Sequence, residues 1–138
     1  MKIAMVCHPT HGGSGVIASE VGMRLAQKGH EVHFVSHERP FRLDPLTLGV
    51  HFHRVNVSSY PLFRYPPYAL ALANQLSRVI QDHDIDIIHA HYAIPHSLAG
   101  ILARNMNSDH NVKVVTTLHG TDITLVGADP SYTDITRW

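Results

Sequence analysis

Apolar positions along the chain follow two periods, and the switches between them mark out the elements. Residues 2–7 (KIAMVC) form a short apolar run bounded by turn residues, which predicts a buried strand. From Ser14 to Lys28 apolar side chains recur at Val16, Ile17, Val21, Leu25 and Ala26, a helical spacing that Gly29 ends. EVHFVS at 31–36 and VHFHRVNV at 50–57 alternate with period two and predict two more strands. Pro40, Pro45 and Gly49 make residues 37–49 between them a long loop. ALALANQLSRVIQDH (69–83) predicts a second helix, and IDIIHAHY (85–92) a fourth strand. Pro95 suits the first turn of a helix running to about Asn107. VKVVTTLH (112–119) completes the set as a fifth strand. The closing DPSYTDITRW has the look of a helix start, with Asp129 or Ser131 as its cap. The chain is therefore expected to be the first part of a longer protein.

Strands that are apolar on both faces and alternate with helices predict a parallel sheet covered on each side. The expected fold is α/β, a doubly wound Rossmann-like domain spanning 1–138. In such a sheet, ligands sit beyond the carboxyl ends of the strands. Three polar segments fall at that edge: HPTHGGSG (8–15), HYAIPH (91–96) and HGTD (119–122). Their expected convergence is the main functional signal.

Composition narrows the classes. Eleven basic side chains balance eleven acidic ones, so no clustered positive excess marks a nucleic-acid or anionic-membrane surface. No apolar run approaches the roughly 18 residues of a membrane span. The start, MKIAMVCHP, lacks the apolar core and cleavage site of a signal peptide. One cysteine cannot close an internal disulfide, which favours a reducing cytoplasm. Cys7 itself ends an apolar run and reads as a small core residue.

Gly12, Gly13 and Gly15 precede a helix whose first amides are unpaired, a place where an anion can approach bare backbone. Ser14 adds a hydroxyl. GSGVIA also fits G-x-G-x-x-A, with Glu38 where a ribose-binding acid would stand, so a dinucleotide-binding module is an alternative. That fingerprint normally begins as the strand ends, whereas HPTHG intervenes here. His89 and His91 share a strand face and, with His96 and His119, could hold zinc in a hydrolase. No C-x-x-C or H-E-x-x-H pattern accompanies them, so packed histidines are the favoured reading, and the thirteen histidines as a whole read as composition. His119 differs because it leaves a strand and enters HGTD. There Gly120 permits a sharp turn, Thr121 offers a hydroxyl, and Asp122 can orient the imidazole or accept a sugar hydroxyl. Tyr92 lies on the same edge, as a half-buried core side chain or a donor to a substrate oxygen. YPPY (65–68) predicts a rigid surface turn and carries no chemistry.

HPTHGGSGVIASEVG, RYPPYALALA, IIHAHYAIPHSLAG and TTLHGTDITLVGADPSYTDITRW resemble the retaining GT-B glycosyltransferases of family 4, over essentially the whole chain. The likeness is greatest to members that pass N-acetylglucosamine to L-malate in bacillithiol synthesis. It implies a bacterial, two-domain enzyme with its active site in the cleft. This N-terminal domain would hold the acceptor, and a C-terminal domain absent from these residues would hold most of the UDP-N-acetylglucosamine. Gly12 and Gly13 would lie against the donor diphosphate. Ser14 and Tyr92 would contact the malate carboxylates, with Thr121 a weaker candidate. His119 would hydrogen-bond the transferred sugar and stabilise an oxocarbenium-like transition state, supported by Asp122. The resemblance implies small-molecule substrates, no cofactor and no metal. It also implies that the domain alone is inactive, and it leaves oligomeric state open. The glycine loop and HGTD are shared widely enough that a family 4 enzyme with another acceptor is the nearest alternative.

Overall fold

The computed structural model describes residues 1–44 and 46–138; Pro45, one of the expected loop's turn residues, lies outside them. In chain order the elements are β1 (Lys2–Val6), α1 (Ser14–Gln27), β2 (Glu31–Ser36), β3 (Val50–Arg54), α2 (Tyr68–His83), β4 (Ile87–His91), α3 (Leu98–Met106), β5 (Lys113–Thr117) and α4 (Thr133–Arg137). The five strands form one sheet in the order β3-β2-β1-β4-β5, and every neighbouring pair is parallel. This is the doubly wound architecture the alternating pattern predicts. Among the described residues, no helix is long and apolar enough to cross a membrane.

Side-chain alternation sorts each strand between two cores. Ala4, Val6, Val35 and Ile88 face α2 and α3, where they meet Leu72, Leu76, Ile80, Ala99 and Ala103. Met5, Cys7, Val32 and Phe34 face α1 and pack with Ala18 and Ala26. Among the described residues, no helix connects β2 to β3. Buried Leu43, from the loop between them, fills that place in the core beside Phe34. Gly22 of α1 exists for Phe34: a Cβ there would stand 2.3 Å from the tip of the phenyl ring. Burial pushes the Cys7 thiol up to about 12, which makes it an inert core atom.

Where the elements depart from the sequence pattern, the reason is local. The expectation of strands buried on both faces holds for β1 and β2, whereas β3 and β5 are sheet edges with exposed positions. Val115 of β5, for example, is 47% exposed, on the face where α1 packs over β1 to β4. α2 ends at Asp84, which takes the left-handed conformation (φ 52°) usually given to glycine. The helix expected from Pro95 begins later. Ala93–Ser97 is one irregular wide turn in which Ile94 is extended (φ −119°, ψ 129°), as the residue before a proline prefers, and regular helix starts at Leu98. The expected helix start near Asp129 appears as the short α4.

Three histidines are fully or almost fully buried: His33 and His96 at 0% exposure and His91 at 1%. Burial, as the largest cause, pushes His33 and His96 down to about 4 and His91 down to about 3. Two tests follow from this packing. Replacing Gly22 by Ala gains roughly 1 kcal/mol of helix propensity but forces a methyl into a closed contact, an overpacking cost of about 1–3 kcal/mol. The urea midpoint of Gly22→Ala should therefore fall. The second test concerns pH. An unfolded imidazole titrates near 6.5, so between about pH 6.5 and pH 4 the unfolded chain binds protons that the native state refuses. Stability should drop as pH falls through that window and be level above it. A urea midpoint unchanged from pH 7 to pH 4.5 would contradict the neutral burial of these rings.

Candidate active site

The winding of the sheet reverses between β1 and β4, and the crevice there opens at the carboxyl ends of the strands. Three loops border it. The first runs from Cys7 to Gly13, the second starts at Tyr92, and the third holds His119–Asp122. His8 joins the first loop to the second: its ring lies edge-on to Tyr92 at 5.4 Å and tilted against His96 at 4.2 Å. Tyr92 joins the second to the third, since its hydroxyl hydrogen-bonds that of Thr121 and its ring lies parallel to His119 at 6.3 Å.

The glycine loop is built for close approach on one side and openness on the other. Gly15 must be glycine, because a Cβ would meet the His8 carbonyl oxygen at 2.4 Å and Thr10 backbone at 2.9 Å. The first turn of α1 is thereby pressed against its own loop. Gly13 sits at φ 59°, where a side chain is disfavoured. At Gly12 and Gly13 an added Cβ would touch nothing within 4 Å. Internal packing therefore does not explain Gly12, and its backbone faces open space at a helix N-terminus. Ser14 is buried as the first residue of that helix.

Asp122 is 0% exposed and is held by two backbone amides. The His119 N–H donates to Oδ1 at 3.0 Å and the Ala93 N–H to Oδ2 at 3.2 Å. The carboxylate thus staples the loop after β4 to the loop after β5. It meets the backbone of His119, not the imidazole. The ring of His119 is held instead by His91, with Nδ1 of His91 and Nε2 of His119 3.1 Å apart.

Hydrogen-bond accounting assigns the protons in this group. His96 Nδ1 lies 2.7 Å from the His91 carbonyl oxygen, so it is a donor. Nε2 of His91 is buried without a partner. A buried unpaired N–H costs more than a buried unpaired lone pair, so the His91 proton belongs on Nδ1, donating to His119 Nε2. His119 then carries its own proton on Nδ1, as a donor. Burial, followed by the neighbouring imidazoles, holds His8 and His89 below the ordinary histidine range.

Tyr92 occupies an unfavourable conformation for a side-chain-bearing residue, with φ 100° and ψ 137°. Such a backbone costs about 1–3 kcal/mol and persists only where its surroundings hold it. Here it directs the phenol back over the third loop.

Of the sequence-derived candidates, Tyr92, His119, Thr121 and Asp122 are linked by direct contacts. Gly12 and Gly13 share their loop with His8, the residue that reaches Tyr92 and His96, and Ser14 follows them as the first residue of α1. Glu38 is exposed on the loop after β2. His89 packs on β4 with Nε2 2.8 Å from the Thr117 hydroxyl. Among the described residues, the groups close enough to share a metal ion do not include His89, His91, His96 or His119. His8 belongs to no motif of its own in the sequence; its place just beyond the central strand is the one signal that marks it.

The family profile of Glycosyltransferase Family 4 matches residues 11–138. The chain is 48% identical, over all its 138 residues, to N-acetyl-alpha-D-glucosaminyl L-malate synthase of Bacillus anthracis, 36% of which it covers. It is 28% identical over 124 residues to an uncharacterized glycosyltransferase of Methanocaldococcus jannaschii, covering 33% of that protein. It therefore spans about a third of the length of these relatives. Solved structures share its fold. A glycosyltransferase from Rickettsia africae superposes with a TM-score of 0.62 at 22% identity, over 97% of this chain and 32% of that one. Sucrose-phosphate synthase from Thermosynechococcus elongatus gives 0.63 at 16% identity, over 96% and 36%. With the profile matched from the glycine loop to the last residue, the chain belongs to glycosyltransferase family 4.

Proposed function

We propose that this chain is the acceptor-side domain of a cytoplasmic enzyme that transfers N-acetylglucosamine from UDP-N-acetylglucosamine to L-malate with retention of configuration. The observation that carries the reading is the 48% identity, over the full chain, to N-acetyl-alpha-D-glucosaminyl L-malate synthase of Bacillus anthracis. A nucleotide-sugar domain beyond this chain completes the cleft and holds most of the donor.

The residues of the crevice have chemistry suited to that reaction. The exposed backbone of Gly12 and Gly13, at the positive end of α1, offers N–H groups to the donor diphosphate. His119, fixed through Nε2 by His91 and through its backbone by Asp122, presents Nδ1–H to an oxygen of the transferred sugar. That bond holds the sugar in one orientation over the acceptor before the reaction, so the contribution is one of positioning. Ser14, Tyr92 and Thr121 supply hydroxyls for the malate carboxylates. In the transfer step the sugar C1–oxygen bond to the diphosphate breaks, and the malate hydroxyl oxygen bonds C1 from the same face. The hydroxyl proton passes to the departing phosphate oxygen. That assignment asks for no paired carboxylates and no metal from this domain. Asp122 acts as a positioning residue, since both its oxygens are occupied by backbone amides.

UDP release across a panel of hydroxy acids, sugars and inositol tests the acceptor, using the chain joined to its nucleotide-sugar domain. Malate should exceed the others, and release no faster than with water would remove the malate assignment while leaving the family intact. This chain alone should form no product. In the joined protein His119→Ala should lower turnover by about 10²-fold or more, the order of loss that follows when a reacting group is misplaced. Tyr92→Phe removes only a hydroxyl, so it should raise the malate KM with a small change in kcat. Equal effects of the two substitutions on KM alone would contradict these separate roles.

A further inference from the structure

Four imidazoles and a carboxylate gather over β2 and β3, on the sheet face that α2 covers, away from the glycine loop. His33 lies near the start of β2, His51 and His53 lie on β3, His83 lies in the last turn of α2, and Glu31 opens β2. The His33 ring is tilted against His83 at 4.4 Å and stacked with His53 at 5.2 Å, and the rings of His53 and His83 are 5.1 Å apart. One ring nitrogen from each of these three lies within 4.8 Å of the others. We propose that His33, His53 and His83 form a binding site for a divalent transition-metal ion of the zinc type, separate from the sugar-transfer crevice.

The orientation of His33 is the main argument. Its Nε2 lies 3.0 Å from Glu31 Oε1, an acceptor, so Nε2 carries the proton and Nδ1 carries the lone pair. That lone pair points at His53 Nε2, 2.9 Å away. A carboxylate fixing one nitrogen of an imidazole while the other faces inward is the arrangement that supports metal-bound histidines. Two nitrogens on one tetrahedral zinc, each at about 2.0–2.1 Å, stand on the order of 3.3 Å apart. The His33–His53 pair needs to open by only a few tenths of an ångström, with the His53 proton moving to its other nitrogen. His83 is half-buried at a helix end and can rotate in as the third ligand. The surroundings favour a cation: the site lies at the carbonyl end of the 16-residue α2, with Glu31 and Asp82 nearby. Imidazole nitrogens suit zinc, nickel or copper better than calcium or magnesium. The ion would tie the end of α2 to the edge strand β3.

Titrating ZnCl2 into the chelator-stripped, tag-free chain, by calorimetry and by thermal unfolding, tests this. One equivalent should bind and raise the melting temperature. His83→Ala and His53→Gln should each abolish the shift, and neither ring is fully buried, so both variants should fold. Glu31→Gln should weaken binding roughly 10- to 100-fold, the usual effect of losing an outer-shell partner. Failure of the unaltered chain to bind zinc would overturn the site. So would binding that survives His83→Ala but is lost in His51→Ala, which would put the ion on the Glu31 side of His33. Loss in His119→Ala with retention in His83→Ala would move it to the crevice and equally refute the proposal.

Discussion

The reversal of winding between β1 and β4 is the constraint on which the other features depend. β1 pairs with β2 on one side and β4 on the other, both parallel. Parallel crossovers are right-handed, so a sheet that grows first one way and then the other must place its helices on opposite faces. α1 accordingly covers one face, and α2 and α3 the other. The chain leaves β1 and β4 in opposite directions, and no connection fills the gap between their carboxyl ends. The crevice is a consequence of topology, and the loops that border it are free to carry chemistry.

Those loops are held by polar contacts, because they lie beyond the apolar cores. Asp122 joins two of them through amide donors, bonds to a charged acceptor that contribute roughly 1.5–3 kcal/mol each. The chain of contacts from His96 through His91 to His119 fixes a ring and its tautomer together. Glycine does complementary work at the first loop, where Gly15 lets backbone press on backbone and Gly12 leaves a bare face. Rigid support beneath an open rim is what a site needs if its donors are to be aimed before the substrate arrives.

Much of this is legible in the residues themselves. The five strands and three long helices follow from periodicity, with boundaries shifted by a few residues. HPTHGGSG, HYAIPH and HGTD are polar, glycine- or proline-bearing segments at strand ends, which is enough to place them on one rim. Tyr92's strained backbone is not legible, because nothing in HAHYAIP distinguishes it from an ordinary strand end. Nor is the division of the histidines. Their number reads as composition, yet folding sorts many of them into two separate clusters, one around β2 and β3 and one around β4 and the loops beyond it.

Period is a property of the local backbone. It determines from sequence alone which positions form strands and helices and which side chains share a face, as His51 and His53 do two residues apart. Which faces then meet is a different matter. His91 and His119 are 28 residues apart, as are His89 and Thr117, and Asn107 meets Ser77 across 30. Those encounters depend on strand order, parallel register and the hand of each crossover, none of which any short window of residues contains. The elements and their buried faces came from the sequence, while the partners of Asp122, Tyr92 and His33 were decided by how the sheet was wound.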